Sequence, residues 1–243
     1  MTKIFFILFM SILFTMIACS SDHKNRITSI PEASGISYCK RSNTLIVAND
    51  EGSFYEITPN GETILKYKLG KYDLEGVVCG RKEIIFAVEN GYLLRVNRKS
   101  LKVKKLKIVG NNIQFSKKSG IEGIAKVNNL YYLSIQSKKS KKDAKLIVVK
   151  INLNSAEIMN IINHKIIDSA GMEYYKGKLY IVSDKKDKLY IYDIKNNTIT
   201  KKIKLDKFAQ EGVTFDNKGN IYFADDNGAV FKYRQKELNI KLY

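Results

Sequence analysis

The chain is predicted to be all-β: a five-bladed β-propeller of four-stranded antiparallel blades, closed by an N-terminal strand. A six-bladed ring is the alternative. Three observations predict this. A glycine followed by an apolar run recurs at Gly35, Gly76, Gly123, Gly171 and Gly212, positions 41, 47, 48 and 41 residues apart. Each glycine opens the same succession of short runs rich in Val, Ile, Tyr and Phe, separated by Gly/Asn/Asp turns, which is the pattern of antiparallel strands. Four such runs per unit, repeated at this period, are the mark of propeller blades. Beyond the N-terminal apolar run no segment carries helical periodicity.

In chain order, the first element is "MTKIFFILFMSILFTMIACSS". One early cation, Lys3, precedes an apolar run that ends near Met16, too short for a membrane span. "MIAC" reads as a lipobox with Ala18 at −1 and Met16 at the place usually held by Leu. Residues 1–18 are therefore read as a lipoprotein signal peptide, Cys19 as the lipidated residue, 19–25 as a polar tether and 26–243 as one propeller domain. The expected location is the cell envelope, anchored by lipid to the outer or the cell membrane.

The five units begin "ASGISYCKRSNTLIVAND", "LEGVVCGRKEIIFAVEN", "IEGIAKVNNLYYLSIQS", "SAGMEYYKGKLYIVSDK" and "QEGVTFDNKGNIYFADD". A third and a more amphipathic fourth strand follow, as in "SFYEIT" and "TILKYKL". The fifth unit runs out after its third strand. Residues 27–30 stand before "PEASG" as "KYKL" stands before "YDLEG", so they are expected to supply the missing outer strand and hide an open edge. "LNIKLY" is then surplus and packs alongside. The long lysine-rich stretch at 134–145 is expected to be a solvated loop.

The formal net charge is +18, with lysine spread along every segment. No basic nucleic-acid motif is present, so nucleic acid is not an expected partner. The spread suits a solvated surface drawn weakly to anionic head groups. Cys39 and Cys79 fall at similar places in neighbouring units. Two buried free thiols are the reading taken, with a bridge as the alternative. His23 falls in the tether, and His164 is read as a surface residue.

Two columns of polar residues stand out. The residue before each glycine is Ser34, Glu75, Glu122, Ala170 and Glu211. First strands line a propeller's channel, so Glu75, Glu122 and Glu211 should converge at its mouth. A second column, at the end of the second strand, holds Asp50, Glu89, Gln136, Asp184 and Asp225, one ring farther out. Clustered carboxylates raise one another's pKa or demand a cation. Lysines avoid both columns, and His and Cys are absent from them. Oxygen ligands of this kind suit Ca2+ rather than zinc or copper. Ser34 and Ala170 leave gaps in the inner ring that could admit a ligand. Ordinary turn chemistry is the reading taken for the outer column, with a secondary acidic ring as the alternative. Glu173 is expected either to replace the carboxylate missing at Ala170 or to pair with a lysine.

"ASGISYCKRSNTLIVAND", "DLEGVV" and "EGVTFDNKGNIYFADD" resemble the SdiA-regulated (YjiK-like) family of bacterial propeller proteins, over about residues 26–235. The resemblance implies an exported or membrane-tethered five-bladed propeller. The last segment also resembles lactonase-type propellers, in which an acid at the "EG" position helps to hold a divalent ion. That likeness points to Glu75, Glu122 and Glu211. The expected function is an envelope lipoprotein, monomeric, that binds an envelope protein, a glycan or a small ligand, with Ca2+ at its acidic mouth. The alternative is a Ca2+-dependent hydrolase of an ester, lactone or phosphoester. No GxSxG motif or nucleophile–base pair assigns catalytic residues.

Overall fold

The computed structural model describes residues 24–110, 113, 115, 116 and 119–240. The leader, Cys19 and His23 lie outside the described residues. Among those described, no helix is long and apolar enough to cross a membrane. The described residues are strands, turns and loops, apart from short 3-10 segments at Asp184–Lys186 and Gln235–Leu238. A lone strand, β1 (Arg26–Thr28), precedes the first unit of β2 (Ala33–Cys39), β3 (Thr44–Asn49), β4 (Ser53–Ile57) and β5 (Thr63–Lys68). The second unit is β6 (Leu74–Cys79), β7 (Glu83–Val88), β8 (Tyr92–Asn97) and β9 (Val103–Val109). The third is β10 (Ile121–Val127), β11 (Leu130–Ile135), β12 (Lys145–Ile151) and β13 (Ser155–Asn163). The fourth is β14 (Met172–Tyr175), β15 (Lys178–Ser183), β16 (Lys188–Asp193) and β17 (Thr198–Lys204). The fifth holds β18 (Gln210–Phe215), β19 (Ile221–Asp225) and β20 (Ala229–Tyr233).

Each unit is an antiparallel meander. The turn between second and third strands uses Gly52 (φ 83°), Gly91 (φ 84°) and Gly228 (φ 92°) in three of the units, a conformation that glycine adopts without a Cβ penalty. β1 pairs antiparallel with β20, so the last sheet runs β1-β20-β19-β18. One arrangement departs from separate four-stranded blades. The outer strands β9 and β13 pair in parallel, Lys107 opposite Ser155 and Val109 opposite Glu157, and merge two units into one eight-stranded sheet. Two exposed edges thereby satisfy each other. The Arg95 guanidinium fastens the join, donating to the carbonyls of Asn152 (2.8 Å) and Leu153 (3.0 Å).

The first strands touch in cyclic order: β2, β6, β10, β14, β18 and back to β2. Their glycines explain how they approach so closely. A Cβ on Gly35 would lie 2.8 Å from the Gly76 Cα, and one on Gly171 would lie 2.5 Å from the Gly212 Cα. The last glycine meets the first strand again, with a Cβ on Gly212 falling 2.9 Å from the Ile36 nitrogen. The recurrent glycine is thus a spacing requirement at the axis.

The apolar core is divided among the seams between neighbouring units. Phe54, Leu74 and Phe86 fill the first seam, and Ile85, Leu133 and Ile147 the second. Ile166, Ile181 and Tyr192 fill the third, and Leu189, Phe223 and Phe231 the fourth. Ile36, Tyr222 and Val230 then bury the seam between the fifth unit and the first. Leu238 and Ile240, from the segment expected to be surplus, pack into the fourth seam.

Two expectations are corrected. Cys39 and Cys79 are not free thiols but a disulfide, joining the ends of β2 and β6 with Cα atoms 5.4 Å apart. Close packing of the first strands brings equivalent positions of adjacent units within bonding reach, which one-dimensional spacing does not reveal. His164 is not on the surface: it is 2% exposed. The ring accepts from the Ile166 N–H at Nδ1 (3.3 Å) and meets Tyr192 edge-on.

Candidate metal and ligand site at the channel mouth

Each inner glutamate owes its position to a break in strand pairing. Leu74 pairs with Val88 and Gly76 with Ala87, so Glu75 is skipped. Glu122, Glu211 and Ser34 are skipped in the same way, between Ile121 and Gly123, Gln210 and Gly212, and Ala33 and Gly35. A β-bulge leaves one residue outside the ladder and re-aims its side chain. The carboxylate therefore leaves the alternation of the strand and enters no apolar seam.

The outer column has a shifted member. The backbone N–H groups of Asp50, Glu89, Gln136 and Asp226 donate to the carbonyls of Glu32, Asp73, Gly120 and Ala209, each three residues before a repeat glycine. In the fifth unit the equivalent residue is thus Asp226, not Asp225. Asp225 occupies the position of Asn49, since Gln210 pairs with Asp225 as Ala33 pairs with Asn49. Its carboxylate Oδ1 accepts from the N–H groups of Ala209 (3.0 Å) and Asn227 (3.2 Å), which is turn chemistry.

Asp50, Asp73 and Glu75 each offer a ligand atom, all within 4.8 Å of one another. Asp73 belongs to a third column, three before the glycine, with Glu32 and Asp168; sequence reading passed over it. The signal was present in "YDLEG" and "IDSAG", where an Asp stands at the same offset. Burial pushes Asp50 up to about 7, opposed by the nearby Ser34 hydroxyl and helped by the charges of Asp226, Asp73 and Glu32. Glu75 is raised by burial and then by the charges of Glu122, Asp50, Asp73 and Glu211. Ser34, which breaks the ring of acids, donates its hydroxyl to the Leu74 carbonyl of the next unit.

Glu122 and Glu211 face the other side of the mouth. They line a cavity of about 110 Å³ with Gln136, Asp168, Asp184 and Ala170. The small side chain at Ala170 leaves this space where a fourth inner glutamate would stand. Glu211 is raised well above the carboxylate range by burial and by Glu122 and Asp184. Glu122 is also raised, chiefly by burial, with Glu89 adding to it. Contrary to expectation, one lysine enters the site: Lys138 borders the cavity and pulls Glu122 back down. It comes from the long lysine-rich loop, which is not wholly solvated, because Ser137 and Ala144 are buried. Asp184 is raised by burial and Asp168. Glu173 does not fill the gap at Ala170 and pairs with no lysine among the described residues: its Oε2 accepts from the Thr214 hydroxyl (2.9 Å), and burial raises it to about 7.

Chemically, the mouth is a set of hard oxygen ligands under mutual repulsion. Asp50 Oδ1 and Glu122 Oε1 are buried with no hydrogen-bond partner among the described residues. Unpartnered buried oxygens of this kind fit a cation or a set of bound protons.

No curated protein matches the chain in sequence. The fold is shared with Myxococcus xanthus glutaminyl cyclase at 11% identity and a TM-score of 0.68, over 86% of this chain and 93% of that one. The WD40 β-propeller domain of Doa1 is similar at 10% identity and a TM-score of 0.55, over 83% and 78% of the two chains. Identities this low show a shared β-propeller fold. The family description SdiA-regulated matches residues 19–233, a span that includes every bulged glutamate and every repeat glycine, and the chain belongs to the SdiA-regulated family.

Proposed function

We propose that this is a membrane-anchored envelope lipoprotein whose propeller binds Ca2+ at its acidic mouth and presents that face to a small ligand, glycan or partner protein. The carrying observation is the convergence of Asp50, Asp73 and Glu75 within 4.8 Å. Oxygens at that spacing suit a cation whose ligand distances are about 2.3–2.6 Å. Those three residues would hold the ion, with Glu122 and Glu211 bordering the adjoining space. Bound Ca2+ would supply positive charge that neutralises the mouth and attracts anionic or polar oxygens.

In this reading the eight-stranded sheet counts as two blades joined at their outer edges, giving five blades, and β1 is the closing strand. Lipid on Cys19 supplies the anchor. The Cys39–Cys79 bridge supports an oxidising compartment outside the cytoplasm. The second reading, a Ca2+-dependent hydrolase of an ester, lactone or phosphoester, draws on the cavity beside Ala170, where raised carboxyls could carry protons.

Calorimetric titration of the chelator-treated protein with CaCl2 tests the proposal. Saturable binding that raises Tm is expected, weakened at least tenfold in Glu75→Gln/Glu122→Gln. No saturable binding by the wild type overturns the Ca2+ site. Turnover of an ester, lactone or phosphoester by the Ca2+-loaded protein would replace the binding reading with the hydrolase.

A further inference from the structure

On the outer wall between the third and fourth units lies a second cleft, of about 440 Å³, separate from the acidic mouth. Lys141, Lys165, Lys186, Lys188 and Lys202 line it with Ile167, Tyr190 and Ile199, and no acidic residue is among them. The ion pairs among the described residues involve none of these lysines. Five ammonium groups around one concavity repel one another unless an anion lies between them.

The lysines come from five different segments of the chain. Lys202 lies opposite Tyr190 in the β16–β17 ladder, and Lys188 opens β16. Its neighbour Lys201 points the other way and donates to the Asn239 carbonyl, as strand alternation requires. Lys186 sits in the 3-10 turn after β15. Lys165 has a left-handed backbone (φ 62°), a conformation that costs free energy in a residue with a side chain and often marks a functional position. Lys141 belongs to the loop before β12. That loop is tied to the base of the cleft: Asn163 Nδ2 donates to the Lys142 carbonyl (2.6 Å), and the His164 N–H to the Ala144 carbonyl (3.1 Å).

We infer that this cleft binds a phosphate-bearing ligand, its phosphates held between the lysines and its less polar part against Ile167 and Ile199. Ammonium groups are point donors that bind phosphate without a fixed fork geometry. Of the acids near these lysines in sequence, Asp168 and Asp184 line the mouth cavity, Asp143 borders a different cavity, and Asp187, between Lys186 and Lys188, accepts from the Gln210 side-chain amide (3.5 Å).

The test uses the full chain in non-ionic detergent, in buffer with chelator, so that Ca2+ at the mouth takes no part. Tripolyphosphate and dihexanoyl phosphatidylglycerol below its micelle concentration are titrated separately. The expected result is saturable binding of at least one, weakened at least tenfold in Lys165→Gln/Lys188→Gln/Lys202→Gln. A charge-matched control, Lys40→Gln/Lys99→Gln/Lys218→Gln, should stay within twofold of wild type. Cleft-dependent binding of tripolyphosphate alone assigns the phosphate to a soluble ligand, and of the lipid probe alone to a membrane headgroup; either supports the site. Equal weakening in both variants, or no saturable binding of either probe, overturns it.

Discussion

Asp50 and His164 lean on pH in opposite directions. Asp50 is raised from 3.8 to about 7, so the native state favours its protonated form. That contribution is present at low pH and is lost as pH rises from about 4 through 7. In chelator, Tm should therefore fall across this window, and Ca2+ should remove the fall. His164 is lowered from 6.5 to about 4 by burial, so the unfolded chain binds its proton more readily. Stability is then complete above 6.5 and lost as pH falls toward 4, by on the order of 3 kcal/mol. Denaturant melts of His164→Gln should show a flatter acid limb than wild type; an unchanged limb would assign the acid sensitivity elsewhere. Glu75 and its partners could be named from the sequence because a repeat makes equivalent residues converge. Asp73 left a signal as the Asp three before a repeat glycine in "YDLEG" and "IDSAG", but only three dimensions show that it and Glu75 both reach Asp50. Lys138 and His164 were misplaced for a related reason: a loop's sequence does not say which of its residues turn inward.

Strands and their order were legible in the alternation of aromatic and aliphatic residues. The bulges were not, because a skipped residue is a property of a pair of strands. One misjudged turn residue moved Asp225 into a column that belongs to Asp226. The parallel β9–β13 join had no signal in either strand alone. The glycines make a sharper prediction at this level. A Cβ on Gly171 would lie 2.3 Å from the Glu211 carbonyl oxygen, whereas nothing lies within 4 Å of one on Gly177. Gly171→Ala should destabilise by several kcal/mol or fail to fold, since backbone cannot give way. Gly177→Ala should cost about 1 kcal/mol, from its positive φ alone. Paired thermal melts decide it. The Cys39–Cys79 bridge encloses a separation of 40 residues, for which loop-closure entropy gives about 4 kcal/mol. Cys39→Ala/Cys79→Ala should lower the denaturant midpoint accordingly, with reductant having no further effect on the variant.

At the scale of the whole molecule, apolar seams lie between units, so no unit buries its own faces alone. The described ends of the chain meet in one ladder, where Arg26 pairs with Phe231 and Thr28 with Val230. Deleting Arg26–Thr28 should leave β20 with an open edge, lower Tm and produce concentration-dependent association in sedimentation runs. A variant that stays monomeric with an unchanged Tm would show that the ladder contributes little. The same ladder also orders events in time. Among the described strands β1 is the first synthesised and β20 the last, so their partnership waits until β20 has been made. Cys39 and Cys79 emerge much earlier, and their bond can fasten the first two units while the rest is still being made. On that order the later units would stack on a covalently fixed foundation, and the joint between β1 and β20 would set after them.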